Sequence, residues 1–597
     1  MISNMKKVTL IGLESNRAHI LSALQDSGIL EPIELNSAES QDTEQYRQQL
    51  EAIKNSLKIL ARASMQEKEK GATVLQLDSG EVVIKITEIK MRLEDIYGIK
   101  RKLLKQIDFY EIWGDFNPDE VLELQEEKIY LQLFRAKTLD FESFEKPDNV
   151  NLEIIKREDH SIYFTTIATE KIKFNFEEIE LPEIGLNKMK EKVADIEQEE
   201  ESLKKELDEL SSYKEQLELD YLKKIDLLNY TMAGNSAAKE GEVFYLQGWL
   251  PQTKEEHLKN ISQGVGAYCV MEDAGKDEIP PTLLMNKTSG EIGEILVNIY
   301  DTPSYNDIDP SNSVFFFFSM FFAMIIADGG YGLVMLAFSV FLYLKLRTLK
   351  KYKKILYLIL TCSVTTVVYG VLTASYFGMN LAPHSPLRSI APLSVTTYEE
   401  FNELIKVMMI SIWMGAFHLS WANIFKAWHE KILSLYGWAV VLLGALFITL
   451  HMNKEGFWIM GIGFSWTLFF TVVEVKNAGF GGRFMAGFAC VQAIIQMFSD
   501  TLSYLRLFAL GMASAYMGKT FNMLSRMIWD SSPLIVAILA CPFILLAGHL
   551  INIVLSIMGG VIHGLRLNFI ESYHWCFDGG GKKFQPLKNI SNKQGEE

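Results

Sequence analysis

Arg506 is the first residue of this chain whose type and setting could do chemistry. It lies near the middle of the apolar run 484–528. As one helix at about 1.5 Å per residue this run would be roughly 65 Å long, so it must tilt strongly or extend past a bilayer. A guanidinium at membrane depth costs about 2.5 to 3.5 kcal/mol on insertion scales and calls for a partner. On its N-terminal side stand Gln492, Gln496, Ser499 and Ser503, spaced by alternating fours and threes up to the arginine. That is the repeat of one helix face. Such a stripe is either a wet ion path ending at a fixed positive charge or a polar seam that glues neighbouring helices together.

The last apolar segment, 533–575, has a stripe of its own. His549, Asn552, Ser556, Gly559, His563 and Arg566 follow the same alternation, and Glu571 lies one turn further on. The five cysteines are scattered without metal-ligand spacing or a disulfide framework, so neither a metal nor a cofactor is expected. Gly518-Lys519-Thr520 resembles the end of a phosphate loop, but the glycine required five residues earlier is Ala513. Asp328 reads as a turn residue.

The elements that must position these residues divide the chain in two. Of 597 residues 49% are hydrophobic and 22% charged, with Glu and Lys dominating up to about 310 and apolar residues from 313 onward. The net charge of −16, with no concentrated basic face, argues against nucleic acid. The N-terminal apolar run is too short for a signal peptide, which predicts a cytoplasmic first half.

The expected fold is multi-domain: N-terminal cytoplasmic α/β lobes joined by a long antiparallel coiled-coil arm, then an α-helical membrane domain. Strand, helix and strand patterns place a first lobe at about 1–38. Strand patterns at about 128–180, taken together with 240–278, predict a second lobe. Helical patterns at about 40–110 and 185–232 form the arm. Its clearest signal is a seam from Leu186 to Tyr221 that alternates by threes and fours without a slip. A homodimeric coiled coil is the alternative to an intramolecular pair. Pro280, Pro281, Pro303 and Pro310 mark 279–312 as an extended connector.

Seven apolar segments fill 313–575. The first is interrupted by Asp328-Gly329-Gly330; as one crossing it would put the basic loop 345–354 outside, against the positive-inside rule. A turn there predicts eight transmembrane helices, the last two segments long and tilted, with both termini and the tail 576–597 cytoplasmic. The two stripes then start from opposite sides of the membrane, giving two offset aqueous routes separated by Arg506 and Arg566.

SDTLSYLRLFALGMA and GGVIHGLRLNFIESYHWCFDGGGKKFQPL resemble signatures of the membrane stator subunit of V/A-type rotary ATPases, called subunit I in prokaryotes and a in eukaryotes. VFYLQGWLP, IPPTLLMNK, YDTPSYNDIDP, FFAMIIADGGYG and VYGVLTASYFG extend the likeness over nearly the whole chain. The short external loops and compact N-terminal half are closer to a prokaryotic member.

The resemblance implies a non-catalytic subunit of the cell membrane. It would face a rotating c-type proteolipid ring, anchor peripheral stalk subunits of E/G type, and work with central-stalk and nucleotide-binding subunits to move H⁺ or Na⁺. Arg506 would match the essential arginine and Arg566 the second one, with His563 and Glu571 at polar positions of the same motif. A nearby opposite charge favours the ionised form of a ring carboxylate. Guanidinium keeps its proton and cannot pass it across. A secondary transporter should instead show repeated halves, and a coiled-coil membrane sensor would need no intramembrane arginines.

Overall fold

The computed structural model describes residues 1–34, 41–63, 77–144, 147, 150–158, 160–275, 278–287, 289–349, 352–379, 385–389, 391, 401–475, 479–576 and 579–591. The ends of the first lobe and first arm helix, much of the loop 379–403, part of the basic loops and the last residues of the tail lie outside these. The chain forms two compact units, one of 1–36 with 236–587, the other of 37–235 with 588–596.

In the first unit Met5–Leu13 alternates buried and less buried positions, the period of a strand with one face in a core. It pairs antiparallel with Val243–Pro251 from Met5 opposite Pro251 to Leu13 opposite Val243, and on its other edge with Tyr268–Asp273. Glu31–Pro32 and Ala238–Glu240 complete a five-stranded sheet. The strands of 240–278 therefore belong with the N-terminal strand and not with 128–180. Alternation marks a strand without naming its partner, and these partners are some 240 residues apart in sequence. Val243–Pro251 runs as one strand through Gly248, Trp249 and Leu250.

The second unit holds a four-stranded antiparallel sheet, in the order Asn151–Arg157, Ser161–Ala168, Tyr130–Lys137, Glu177–Ile179. Trp113, Leu133, Tyr163 and Ile179 cluster together, as do Phe134, Phe164, Phe141, Phe174 and Phe176. Its helices Gln41–Ala63, Ser79–Tyr110 and Leu186–Leu210 share a core of Ile53, Leu60, Val82, Ile86, Ile89, Leu207 and Leu210. The seam is not unbroken: a 3₁₀ turn, Ser211–Tyr213, separates Leu186–Leu210 from Lys214–Ser236.

The connector is also not extended throughout. Ser289–Tyr300 is a helix with Ile292, Leu296 and Val297 buried. The prolines bracket it without interrupting it. A Cβ on Gly293 would lie 1.9 Å from the Ser311 carbonyl oxygen, so glycine lets this helix touch the start of the next.

Among the described residues six helical segments are long and apolar enough to cross a membrane: Gly329–Leu346, Lys353–Thr373, Leu404–Glu430, Asn453–Glu474, Phe480–Ser531 and Leu534–Cys576. Ser311–Ile326 and Ser434–Thr449 are shorter apolar helices. The first apolar segment does turn where Asp-Gly-Gly interrupts it. Ala327 takes a left-handed φ of 52°, and the Asp328 carboxylate caps the following helix by accepting from the Tyr331 amide at 3.0 Å. Phe480–Ser531 is two helices, Phe480–Ser503 and Leu505–Ser531, meeting at the fully buried Tyr504, whose hydroxyl lies 2.7 Å from His418 Nδ1.

Candidate functional site

Arg506 is the second residue of Leu505–Ser531, and Arg566 the last of Leu534–Arg566. Between Arg566 and Tyr573 the backbone widens into a π-helix, Leu567–Ser572, which carries Glu571. In an α-helix a residue five positions on would stand about 140° round the axis. A π-helix bonds i to i+5 and brings such residues close to one face. Glu571 Oε1 accordingly lies 3.7 Å from Arg566 Nε and 3.4 Å from Arg506 Nη1.

The carboxylate is 3% exposed, while the Arg506 and Arg566 side chains are 22% and 51% exposed. Glu571 Oε2 has no hydrogen-bond partner among the described residues, and neither does the buried Nδ1 of His563. Two guanidiniums thus share one buried anion. Of these three charges, one positive charge is left without a carboxylate of its own among the described residues.

The two polar stripes differ in setting. Gln492, Gln496 and Ser499 are exposed on the outer surface of Phe480–Ser503, and Ser503 is half-buried. Exposed Val491, Ile495 and Phe498 flank them. His549, Asn552 and Ser556 instead sit in a network enclosed between helices. Tyr331 Oη lies 2.8 Å from His549 Nδ1 and accepts from Asn552 at 2.8 Å. Asn552 also donates to the Ser514 carbonyl at 2.8 Å, and the Ser514 and Ser556 hydroxyls are 2.9 Å apart. His549 Nε2 lies 3.1 Å from Asn522 Oδ1. This second stripe is hydrogen-bonded between helices, where the first faces outward.

Several residues here escape sequence reasoning. Tyr331, Ser514 and Asn522 complete the enclosed network, and nothing local points to them. Asp500 is buried beside the stripe and accepts from Gln496 Nε2 and Trp575 Nε1, both at 2.8 Å. Its four-residue step from Gln496 is the signal that could have found it.

An α/β portion, several helices long and apolar enough to cross a membrane and a charge cluster shared between the last of them define a multi-pass membrane protein with a charged site at its helix interfaces. The chain belongs to the V-type ATPase 116kDa subunit family, whose model matches 166–381 and 488–589. The second match contains Arg506, Arg566 and Glu571, and the first contains Asp328. The chain is 29% identical to "V-type ATP synthase subunit I" of Chlamydia trachomatis over 98% of each chain. It is 28% identical to the protein of that name from Borreliella burgdorferi, over 99% of this chain and 100% of that one. With "A-type ATP synthase subunit I" of Methanocaldococcus jannaschii it shares 24% over 71% of this chain and 67% of that one. A solved structure of the cytoplasmic N-terminal domain of subunit I, homolog of subunit a, of V-ATPase matches at 16% identity and a TM-score of 0.23, covering 45% of this chain and 99% of that one. Membership in this family makes the chain a membrane subunit of a multi-subunit complex.

Proposed function

We propose that this chain is the stator of a V/A-type rotary ATPase, holding the ion half-channels against a ring of c-type proteolipids and anchoring peripheral stalks. The observation that carries the reading is the two-to-one charge cluster: Arg506 and Arg566 on the single carboxylate of Glu571. The surplus cation is suited to an anion from outside the chain, and a ring carboxylate is such an anion. Gln492, Gln496 and Ser499 support it, because amides and hydroxyls exposed on an apolar helix are poorly served by lipid.

In this mechanism a ring carboxylate arriving beside Arg506 is favoured in its ionised form and releases H⁺ or Na⁺ into one route. The route along Gln492, Gln496, Ser499 and Ser503 opens to the cytoplasm. The other follows the hydrogen-bonded chain of His549, Asn552 and Ser556 from the outside. Arg506 keeps its proton, so nothing passes between the routes unless the ring turns. His563 and Arg566 tune the same cluster.

ATP is turned over by the nucleotide-binding subunits, to which the second unit connects as a coiled-coil arm through stalks of E/G type. Eight crossings with both termini cytoplasmic fit this role, the two short apolar helices crossing as well. Their 16 residues reach only about 24 Å at about 1.5 Å per residue.

Arg506→Ala tests the reading. ATP-driven ion pumping by the reconstituted complex should vanish while the complex still assembles. Wild-type pumping by that variant overturns it.

A further inference from the structure

Glu571 reaches the two arginines only because Leu567–Ser572 is wound as a π-helix, a conformation that α-helical hydrogen bonding would ordinarily replace. Something must hold that turn. Three residues beyond the π segment's last residue is Trp575, 8% exposed, whose indole N–H donates to Asp500 Oδ2 at 2.8 Å. Asp500 is 7% exposed and belongs to Phe480–Ser503, so this bond ties the chain just after the π turn to a different helix. Its other oxygen accepts from Gln496, on the exposed polar stripe, at 2.8 Å. Trp438 meets the Trp575 ring edge-on at 5.9 Å, fixing the indole's plane. Within the turn, Asn568 Nδ2 donates to the Gly564 carbonyl at 2.9 Å, and Phe569 stacks on Tyr300 at 4.9 Å.

We propose that Asp500 is a positioning residue for ion translocation: through Trp575 it holds the π turn that presents Glu571 to Arg506 and Arg566, and through Gln496 it sets the adjoining polar stripe in the same register. This rests on the stator reading above. Without the tie the turn rewinds toward α-helical geometry and Glu571 swings away from both guanidiniums. The arginines then face an arriving ring carboxylate with no competing anion of their own, and release of that carboxylate slows. Asp500 touches neither ion nor ring.

The test uses the intact complex in vesicles with Trp575→Phe, Asp500→Ala and Asp500→Asn, reading the initial rate of ATP-driven ion uptake per assembled complex. A second readout is carbodiimide labelling of Glu571, followed by peptide mass; a carboxylate held by two guanidiniums is shielded, and one that has swung free is open to the reagent. Trp575→Phe keeps ring bulk and removes the single N–H. In that variant and in Asp500→Ala the rate should fall at least fivefold and Glu571 should become labelled. Asp500→Asn keeps an oxygen for the indole and should retain at least half the wild-type rate with Glu571 unlabelled. A wild-type rate with unlabelled Glu571 in Trp575→Phe overturns the inference, whatever Asp500→Ala does. Arg506→Ala run alongside separates the two ideas: if it pumps, the stator reading fails, and if it is silent while Trp575→Phe is normal, only the positioning role fails.

Discussion

Arg506 Nη1 and Glu571 Oε1 stand 3.4 Å apart although 65 residues separate them in the chain, joining the helix that begins at Leu505 to the turn that follows Arg566. Removing one partner of a buried ion pair strands the other, at a cost of about 3 to 5 kcal/mol where burial is complete. Arg506 is partly exposed, so the penalty here should be smaller, about 1 to 3 kcal/mol. Glu571→Gln keeps the volume and removes the anion from both arginines. A ring carboxylate would then bind Arg506 without competition and leave it slowly. We expect assembled Glu571→Gln complexes to pump at least about tenfold more slowly, roughly 1.4 kcal/mol on the limiting barrier. Initial rates of ATP-driven ion uptake per assembled complex would measure this.

Much of this arrangement is legible in the sequence, with a physical limit on the rest. The three-and-four spacing of Gln492, Gln496 and Ser499 does mark one helix face, and Asp328-Gly329-Gly330 does mark a turn, because both signals are local. Glu571 is different: its five-residue step from Arg566 fits no α-helical face, and only the π turn brings the two together. The pairing of Met5–Leu13 with Val243–Pro251 is hidden by distance along the chain. Prolines around Ser289–Tyr300 disguise a helix whose apolar positions are in plain view. Tyr504 breaks the long apolar run where no glycine or proline warns of it.

Asp328 organises the turn between the first two apolar helices far more heavily than a turn residue need do. Besides the Tyr331 amide its carboxylate accepts from the amides of Phe377 at 2.9 Å and Gly378 at 3.2 Å, and from the Ser375 hydroxyl at 3.2 Å. Asp328→Ala would leave three backbone donors unsatisfied in a buried place, each costing about 1 to 3 kcal/mol. The expected loss is about 3 to 5 kcal/mol after relaxation, with Asp328→Asn milder because one oxygen remains. Thermal unfolding of the detergent-solubilised protein should rank wild type above Asn and Asn above Ala.

Ser434–Thr449 and Asn453–Glu474 form an antiparallel pair whose closeness depends on glycine. A Cβ at Gly444 would meet the Met460 amide nitrogen at 2.6 Å, and one at Gly463 the Val441 nitrogen at 2.8 Å. Backbone atoms cannot step aside as side chains do, so Gly444→Leu must separate the helices. The dispersion contacts along the seam would be lost with them. At Gly461 a Cβ meets nothing within 4 Å. Gly444→Leu should therefore cost about 2 kcal/mol or more in the manner of overpacked cores, while Gly461→Ala changes stability by less than about 0.5 kcal/mol. Yield and melting temperature of the two variants, compared side by side, would check the contrast.

In the second unit Glu200 is a carboxylate buried on Leu186–Leu210 and held by Lys204 at 2.5 Å and Lys100 at 3.1 Å. These two ammonium groups hold its carboxyl below the usual carboxylate range, the Lys204 hydrogen bond most strongly. A group whose pKa is lower folded than unfolded adds stability above its unfolded value, near 4.3 for glutamate. That stability is lost as the pH falls through the lowered value. Going from pH 6 toward pH 3 should loosen Leu186–Leu210 in the wild type through this group. Glu200→Gln should lose about 1 kcal/mol at pH 7 and show a flatter acid dependence. Hydrogen exchange of the Leu186–Leu210 amides, corrected for intrinsic rates, reads both effects, and parallel profiles for the two proteins would remove Glu200 as the cause.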